Sequence, residues 1–228
     1  MMLHSREPAA ATMPPVAKDR RFTWSALCVV LALGFPMLPT GVWMNQFASP
    51  RHLVAYEALW WAVVAIMVVL VRAAERRSLS SIGIRPLRRT DVFVGIAAGM
   101  AILAGLAGIY YLVLPLLGLS AEGQMNQLLA TPLWWRWILV IRAAVSEEVL
   151  YRGFAIERLT DLTGHRAIAA VVACAAFVVA HVGWWGGGHL LIAGYAGAAL
   201  TALYLWRRNL GVNILAHFVV DGLALLGG

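Results

Sequence analysis

The chain reads as an all-α bundle of transmembrane helices, and three observations carry that reading. Of its 228 residues, 61% are hydrophobic and only 13% are charged, where a soluble domain carries about 25% charged residues. The mean hydropathy of +0.77 is concentrated in apolar runs of membrane-crossing length. Arginines gather in alternate connections between those runs, as the positive-inside rule describes. The length accommodates about seven spans with short loops and no second folded domain.

Residues 1–21 contain Pro8, Pro14, Pro15 and the cluster Lys18, Arg20 and Arg21, and read as a mobile basic tail. Residues 22–228 then form a single transmembrane domain. A signal peptide is the competing reading of the start, but the apolar stretch after Trp24 is too long and lacks a small-residue cleavage site. That stretch is taken as a retained first span, Trp24 to Phe47, broken near Pro36 and Pro39 because proline cannot donate to a helix. The second span runs from Val54 to Arg72 and ends in a loop with Arg72, Arg76, Arg77, Arg85, Arg88 and Arg89. Within this loop, Leu79 to Pro86 mixes Leu and Ile with Ser and Gly. It suits a short interfacial helix or an ordered loop equally well.

The third span, Val92 to Leu117, and the fourth, Leu133 to Phe154, flank a connection near Glu122 that has no Arg or Lys. Arg158 and Arg166 lie in the loop that follows. The fifth span, Ala167 to Gly183, is rich in alanine, and small residues let membrane helices approach closely. The sixth is Leu190 to Trp206. The seventh, Val212 to Leu226, follows Arg207 and Arg208. With arginines inside, the N-terminus is cytoplasmic and the C-terminus is outside, Arg51 being a minor exception. Trp134, Trp135 and Trp137, and likewise Trp184 and Trp185, suit interfacial aromatic belts.

The net charge of +7 is nearly all arginine, with Lys18 the only lysine. Because the arginines lie between apolar runs, membrane lipids with anionic headgroups fit them better than nucleic acid. Cys28 and Cys174 stand alone in apolar segments, with no spacing for a disulfide framework or a metal site. Chain size and arginine-for-lysine usage point to a bacterial inner (plasma) membrane.

Three signals interrupt the apolar segments: Glu147-Glu148 with Arg152, Phe177 with His181, and His217 with Asp221. Counted from Glu148, each pair is four residues apart, which places both members on one helix face. An ionisable side chain at the centre of an apolar helix costs roughly 2.5–3.5 kcal/mol on insertion scales, so a shared polar cavity is expected. Successive helix residues point about 100° apart. Glu148 is therefore expected to pair with Arg152, leaving Glu147 as the freer carboxylate suited to acid–base work. The alternative is that both acids only neutralise Arg142 and Arg152. His181 alone reads more readily as an interfacial or hydrogen-bonded residue near a span end than as a catalyst. Asn213, His217 and Asp221 form a stripe along one face, and Asp221 needs a partner in hydrocarbon. Glu57 is read as interfacial, and His189, after Gly186 to Gly188, as a surface histidine beside a turn.

Together these residues supply a carboxylate base, imidazoles and a second acid, as peptide-bond hydrolysis requires. Glu147, His181, His217 and Asp221 would also suit Zn²⁺. The chain has no HExxH pair and no GxSxG serine elbow.

The run Glu147-Glu148-Val149-Leu150-Tyr151-Arg152-Gly153, then Phe177 to His181, then His217 to Asp221 resembles the CPBP family. These are the CAAX-protease and bacteriocin-processing intramembrane endopeptidases, also called Abi or CAAX prenyl protease 2-like. The resemblance covers about Leu133 to the C-terminus, residues 133–228. It implies that Glu147 and His181 activate the attacking water, and that His217 and Asp221 face the scissile carbonyl oxygen. Glu148, Arg152 and Asn213 would support the site or hold substrate.

Many members have Asn where this chain has Asp221, and an ionised Asp cannot donate to an oxyanion. Asp221 is then protonated, orients His217 or binds a metal. Members are often termed metalloproteases, and a metal-free glutamate mechanism is also described for the family. The expected activity is hydrolysis of a peptide or membrane-protein substrate near the cytoplasmic face, with no required cofactor in the preferred reading. A proton-coupled transporter and a non-catalytic immunity or partner protein are the rivals.

Overall fold

The computed structural model describes residues 15–120, 125–185 and 188–226, and all regular structure among them is helical. Helix α1, Pro15–Gly34, takes in part of the stretch expected to be a mobile tail. Residues 1–14 lie outside the described residues. The expected first span is also shorter than read. Pro36 stops α1, and the chain passes through a 3-10 turn, Phe35–Met37, and a single helical turn, Thr40–Trp43.

Helix α2, Pro50–Ala74, closes with a π-helical turn. The loop after it is no interfacial helix. Leu79–Ile82 is a 3-10 turn that ends at Gly83 with φ +78°, and Ile82 is fully buried. The Gly83 carbonyl accepts from the Leu210 backbone N–H at 2.8 Å, so the loop plugs the bundle end.

Helix α3, Arg89–Leu116, follows, with Asp91 accepting the Arg88 backbone N–H at its start. Helix α4, Leu133–Glu147, runs without interruption into a nine-residue π-helical stretch, Glu148–Ile156, and then α5, Glu157–Thr163. Every residue from Glu148 to Ile156 is buried. Helices α6, Arg166–Trp185, α7, His189–Arg207, and α8, Leu210–Leu226, surround this central rod. Gly95 and Gly99 bring α3 against α8. A Cβ on Gly99 would lie 2.7 Å from the Ala216 carbonyl oxygen, so only glycine permits this backbone approach.

Helices α2, α3 and α7 are long and apolar enough to cross a membrane, and shorter apolar helices occupy Phe22–Met37, Arg166–Val182 and Leu210–Leu226. Outward apolar side chains such as Phe93, 73% exposed, suit lipid contact. The polar positions of α4 are explained by its burial in the bundle. Trp135, expected in an aromatic belt, is one of them: it is buried edge-on to Phe47, while Trp134 and Trp137 are half exposed. The side chains of Trp184 and Trp185 lie outside the described residues.

The arginine-rich connections meet at one end of the bundle. Arg158 holds Glu75 through two nitrogens, Glu157 accepts from Arg166, Arg208 and Tyr204, and Arg77 and Arg207 pair with Asp161 and Asp91. These pairs join α2, α3, α5, α6 and α7 and fix the depth at which each helix presents its polar residues.

Candidate active site

The site is built where α4 gives way to the π-helical stretch. A π-helix widens the turn, and such segments are rare and concentrate at functional sites. Here the change falls between the two glutamates, and their environments differ completely.

Glu148 is fully buried and satisfied at both oxygens. Its Oε1 accepts from Arg152 at 2.9 Å and from His217 Nδ1 at 2.9 Å, and its Oε2 accepts from Asn213 at 3.1 Å. Arg152 also donates to the Gly197 carbonyl at 3.0 Å and lies over the Phe177 ring, 4.7 Å from its centre. Asn213 donates to the Leu200 carbonyl at 2.7 Å. One carboxylate thereby joins the central rod to α6, α7 and α8. Asn213, read from sequence as one member of a stripe, belongs to this closed cluster.

Glu147 is partly exposed and makes no hydrogen bond among the described residues. Its Oε2 stands 3.9 Å from His181 Nε2 and 3.9 Å from His217 Nε2. His181 is fixed by its Nδ1–H donating to the Phe177 carbonyl at 2.7 Å, so in the neutral ring Nε2 carries the lone pair. The Phe177 ring lies 4.4 Å from His181 on one side. His217 has its Nδ1 on Glu148 and its Nε2 3.3 Å from Asp221 Oδ2. With acceptors at both nitrogens, both are placed to act as N–H donors.

All four residues that the resemblance implies are therefore in one place: Glu147, His181, His217 and Asp221. The idea that Glu147 and Glu148 only neutralise arginines fails for Glu147, because Arg142 is paired elsewhere. Its guanidinium donates to Glu57 at 3.0 Å and lies 4.8 Å above the Trp60 ring. Glu57 is consequently buried rather than interfacial, because its partner stands two helices away in the core. His189, read as a surface histidine, is half-buried and faces His181. Its ring is 6.1 Å from that of His181 and nearly parallel, at 16°. No spacing rule links these two histidines, since the loop between α6 and α7 joins them.

The donor types around Glu147 suit zinc chemically. Among the described residues, however, no group of three or more His, Cys, Asp and Glu side chains is arranged to hold a metal ion. Both nitrogens of His217 are already directed at carboxylates.

Comparison with known proteins agrees with the family resemblance. Residues 129–223 match the family model described as type II CAAX prenyl endopeptidase Rce1-like. No curated protein and no solved structure matches the chain. The helices and this match together make it an integral membrane protein of a protease type. Residues 129–223, which hold all three polar motifs, are the stretch that is similar to the Rce1-like CAAX-protease family.

Proposed function

We propose that the chain is an intramembrane endopeptidase that hydrolyses a peptide bond with a water activated by Glu147 and His181. The supporting observation is the notch in which Glu147 Oε2 lies 3.9 Å from the Nε2 atoms of both His181 and His217. That gap is too long for a direct hydrogen bond and suits a bridging water.

Glu147 takes the proton of the attacking water, helped by the lone pair of His181 Nε2. The oxygen adds to the scissile carbonyl carbon, and charge develops on the carbonyl oxygen. The His217 Nε2–H, shared with Asp221, stabilises that oxygen, while the buried Glu148 holds Nδ1 and with it the ring orientation. Glu147 then delivers its proton to the leaving amine as the C–N bond breaks. Asp221 serves as the acceptor that orients His217, which resolves its departure from asparagine without requiring it to donate. This route uses no metal.

The substrate is a peptide or membrane-protein segment that reaches the site within the bundle. His217 lies about two turns into α8 from the arginine-rich end, and the positive-inside rule makes that end cytoplasmic. The scissile bond therefore enters the membrane layer from its cytoplasmic side. The test is purification in detergent and incubation with a peptide library. Cleavage by the native protein, lowered about 10²- to 10⁴-fold in Glu147→Ala, is expected; equal cleavage by both would remove the proposal.

A further inference from the structure

Resting on the endopeptidase reading above, we infer that Tyr151 is a positioning residue for Glu147, its phenol donating to the carboxylate oxygen that the histidines leave free. Three observations carry this. The Tyr151 side chain is 1% exposed, yet its hydroxyl has no hydrogen-bond partner among the described residues. A buried hydroxyl without a partner costs about 1–3 kcal/mol, so such a group in a native protein calls for a functional account. Glu147 Oε2 is turned toward two imidazoles, and no described side chain donates to its Oε1.

Tyr151 follows Glu147 by four residues across the π-helical junction. The neighbouring pair at the same spacing, Glu148 and Arg152, touches at 2.9 Å, so this segment brings such side chains together. The Tyr151 ring also packs edge-on against Phe177, 5.3 Å between centres, and Phe177 in turn packs on His181. The phenol is thus within electrostatic reach of Glu147 and on the rigid wall that holds its histidine partner.

A rotation about the Glu147 side chain closes the bond. Oε1 then accepts the phenol O–H, and Oε2 is locked toward the water position between His181 and His217. The tyrosine keeps its proton throughout, so the step needs no further reactant.

Tyr151→Phe tests this, since it removes one hydroxyl and leaves the ring packing intact. On a peptide that the native protein cleaves, kcat is expected to fall about 10- to 100-fold, the range for a hydrogen bond to a charged acceptor, with KM within about twofold. The thermal midpoint in detergent should stay level or rise, because an unsatisfied buried group is removed. A merely structural tyrosine would instead lose thermal stability at unchanged kcat, and that result overturns the inference.

In a Glu147→Ala background, Tyr151→Phe should cause no further loss, because the two act as one unit. An additional loss there also overturns it. A readout independent of turnover is the infrared carboxylate stretch assigned to Glu147 by its disappearance in Glu147→Gln. It should shift in Tyr151→Phe, and an unmoved band refutes the contact. An active Glu147→Ala would strike the endopeptidase reading itself, whereas an inactive one beside a fully active Tyr151→Phe strikes only the tyrosine.

Discussion

Two adjacent carboxylates, one closed in and one left open, divide this molecule into a structural cluster and the open notch proposed to react. Around Glu148, Arg152, Asn213 and His217 match each carboxylate oxygen, and burial is complete. Around Glu147, the nearest partners stand 3.9 Å away and the side chain is only partly buried. A buried ion is tolerable only when its partners satisfy it, whereas a base that must bind and release a proton cannot be saturated. The same chemical group thus serves opposite ends, according to which side of the π-helical junction it occupies.

The largest expected effect breaks the open side. Glu147→Ala should lower peptide cleavage by about 10²- to 10⁴-fold, the range for a lost general base. Folded yield and thermal midpoint should stay near native, since Glu147 makes no hydrogen bond among the described residues. A collapse of folded yield would place Glu147 in the structural cluster and erase the contrast.

Arg152→Ala attacks the closed side. Removing one partner of a buried pair costs about 3–5 kcal/mol, so monodisperse protein on size exclusion should fall sharply. Activity would fall with it. Normal yield and stability with lost activity would instead assign Arg152 to substrate.

Glu57→Gln sharpens the comparison with a buried pair outside the notch. Arg142 would lose its charged acceptor while keeping its seat over Trp60 and Tyr56. A loss of about 1.5–3 kcal/mol is expected from a charge-assisted hydrogen bond, read as a lower thermal midpoint with kcat per folded molecule unchanged. A reduced kcat at native stability would extend the reactive region to α2.

The smallest effect is expected at Asp221. Asp221→Asn keeps an acceptor oxygen facing His217 Nε2 and should remain within about tenfold of native activity. A strong chelator should likewise change little. An inactive Asn variant, together with a native enzyme that dies on chelation and recovers with zinc, would establish a metal route and recast the notch as a ligand set.

Much of this arrangement was legible in the residues themselves. The Glu148–Arg152 pair follows from helix spacing alone, because a side chain four residues on stands one turn away. The polar stripe of α8 and the apolar runs follow from periodicity and composition. Their physical basis is local: helix geometry and the cost of charge in hydrocarbon act within a few residues. Contacts between helices follow no such rule. Glu57 reaches Arg142 across 85 positions, and His189 comes against His181 through the α6–α7 connection. The end of α1 also escaped, because Pro36 closes the helix sooner than the apolar run suggests.

By itself, then, the sequence determined that this is a helical membrane protein with ionisable groups at defined helical positions. Tertiary structure alone decided which glutamate is closed in and which is open. That choice depends on the π-helical turn beginning at Glu148, on Gly95 and Gly99 admitting α8 against α3, and on the resulting approach of Asn213 and His217 to one carboxylate. Two identical neighbouring side chains have the same local chemistry. Only the packing of distant helices around them closes one in and leaves the other open.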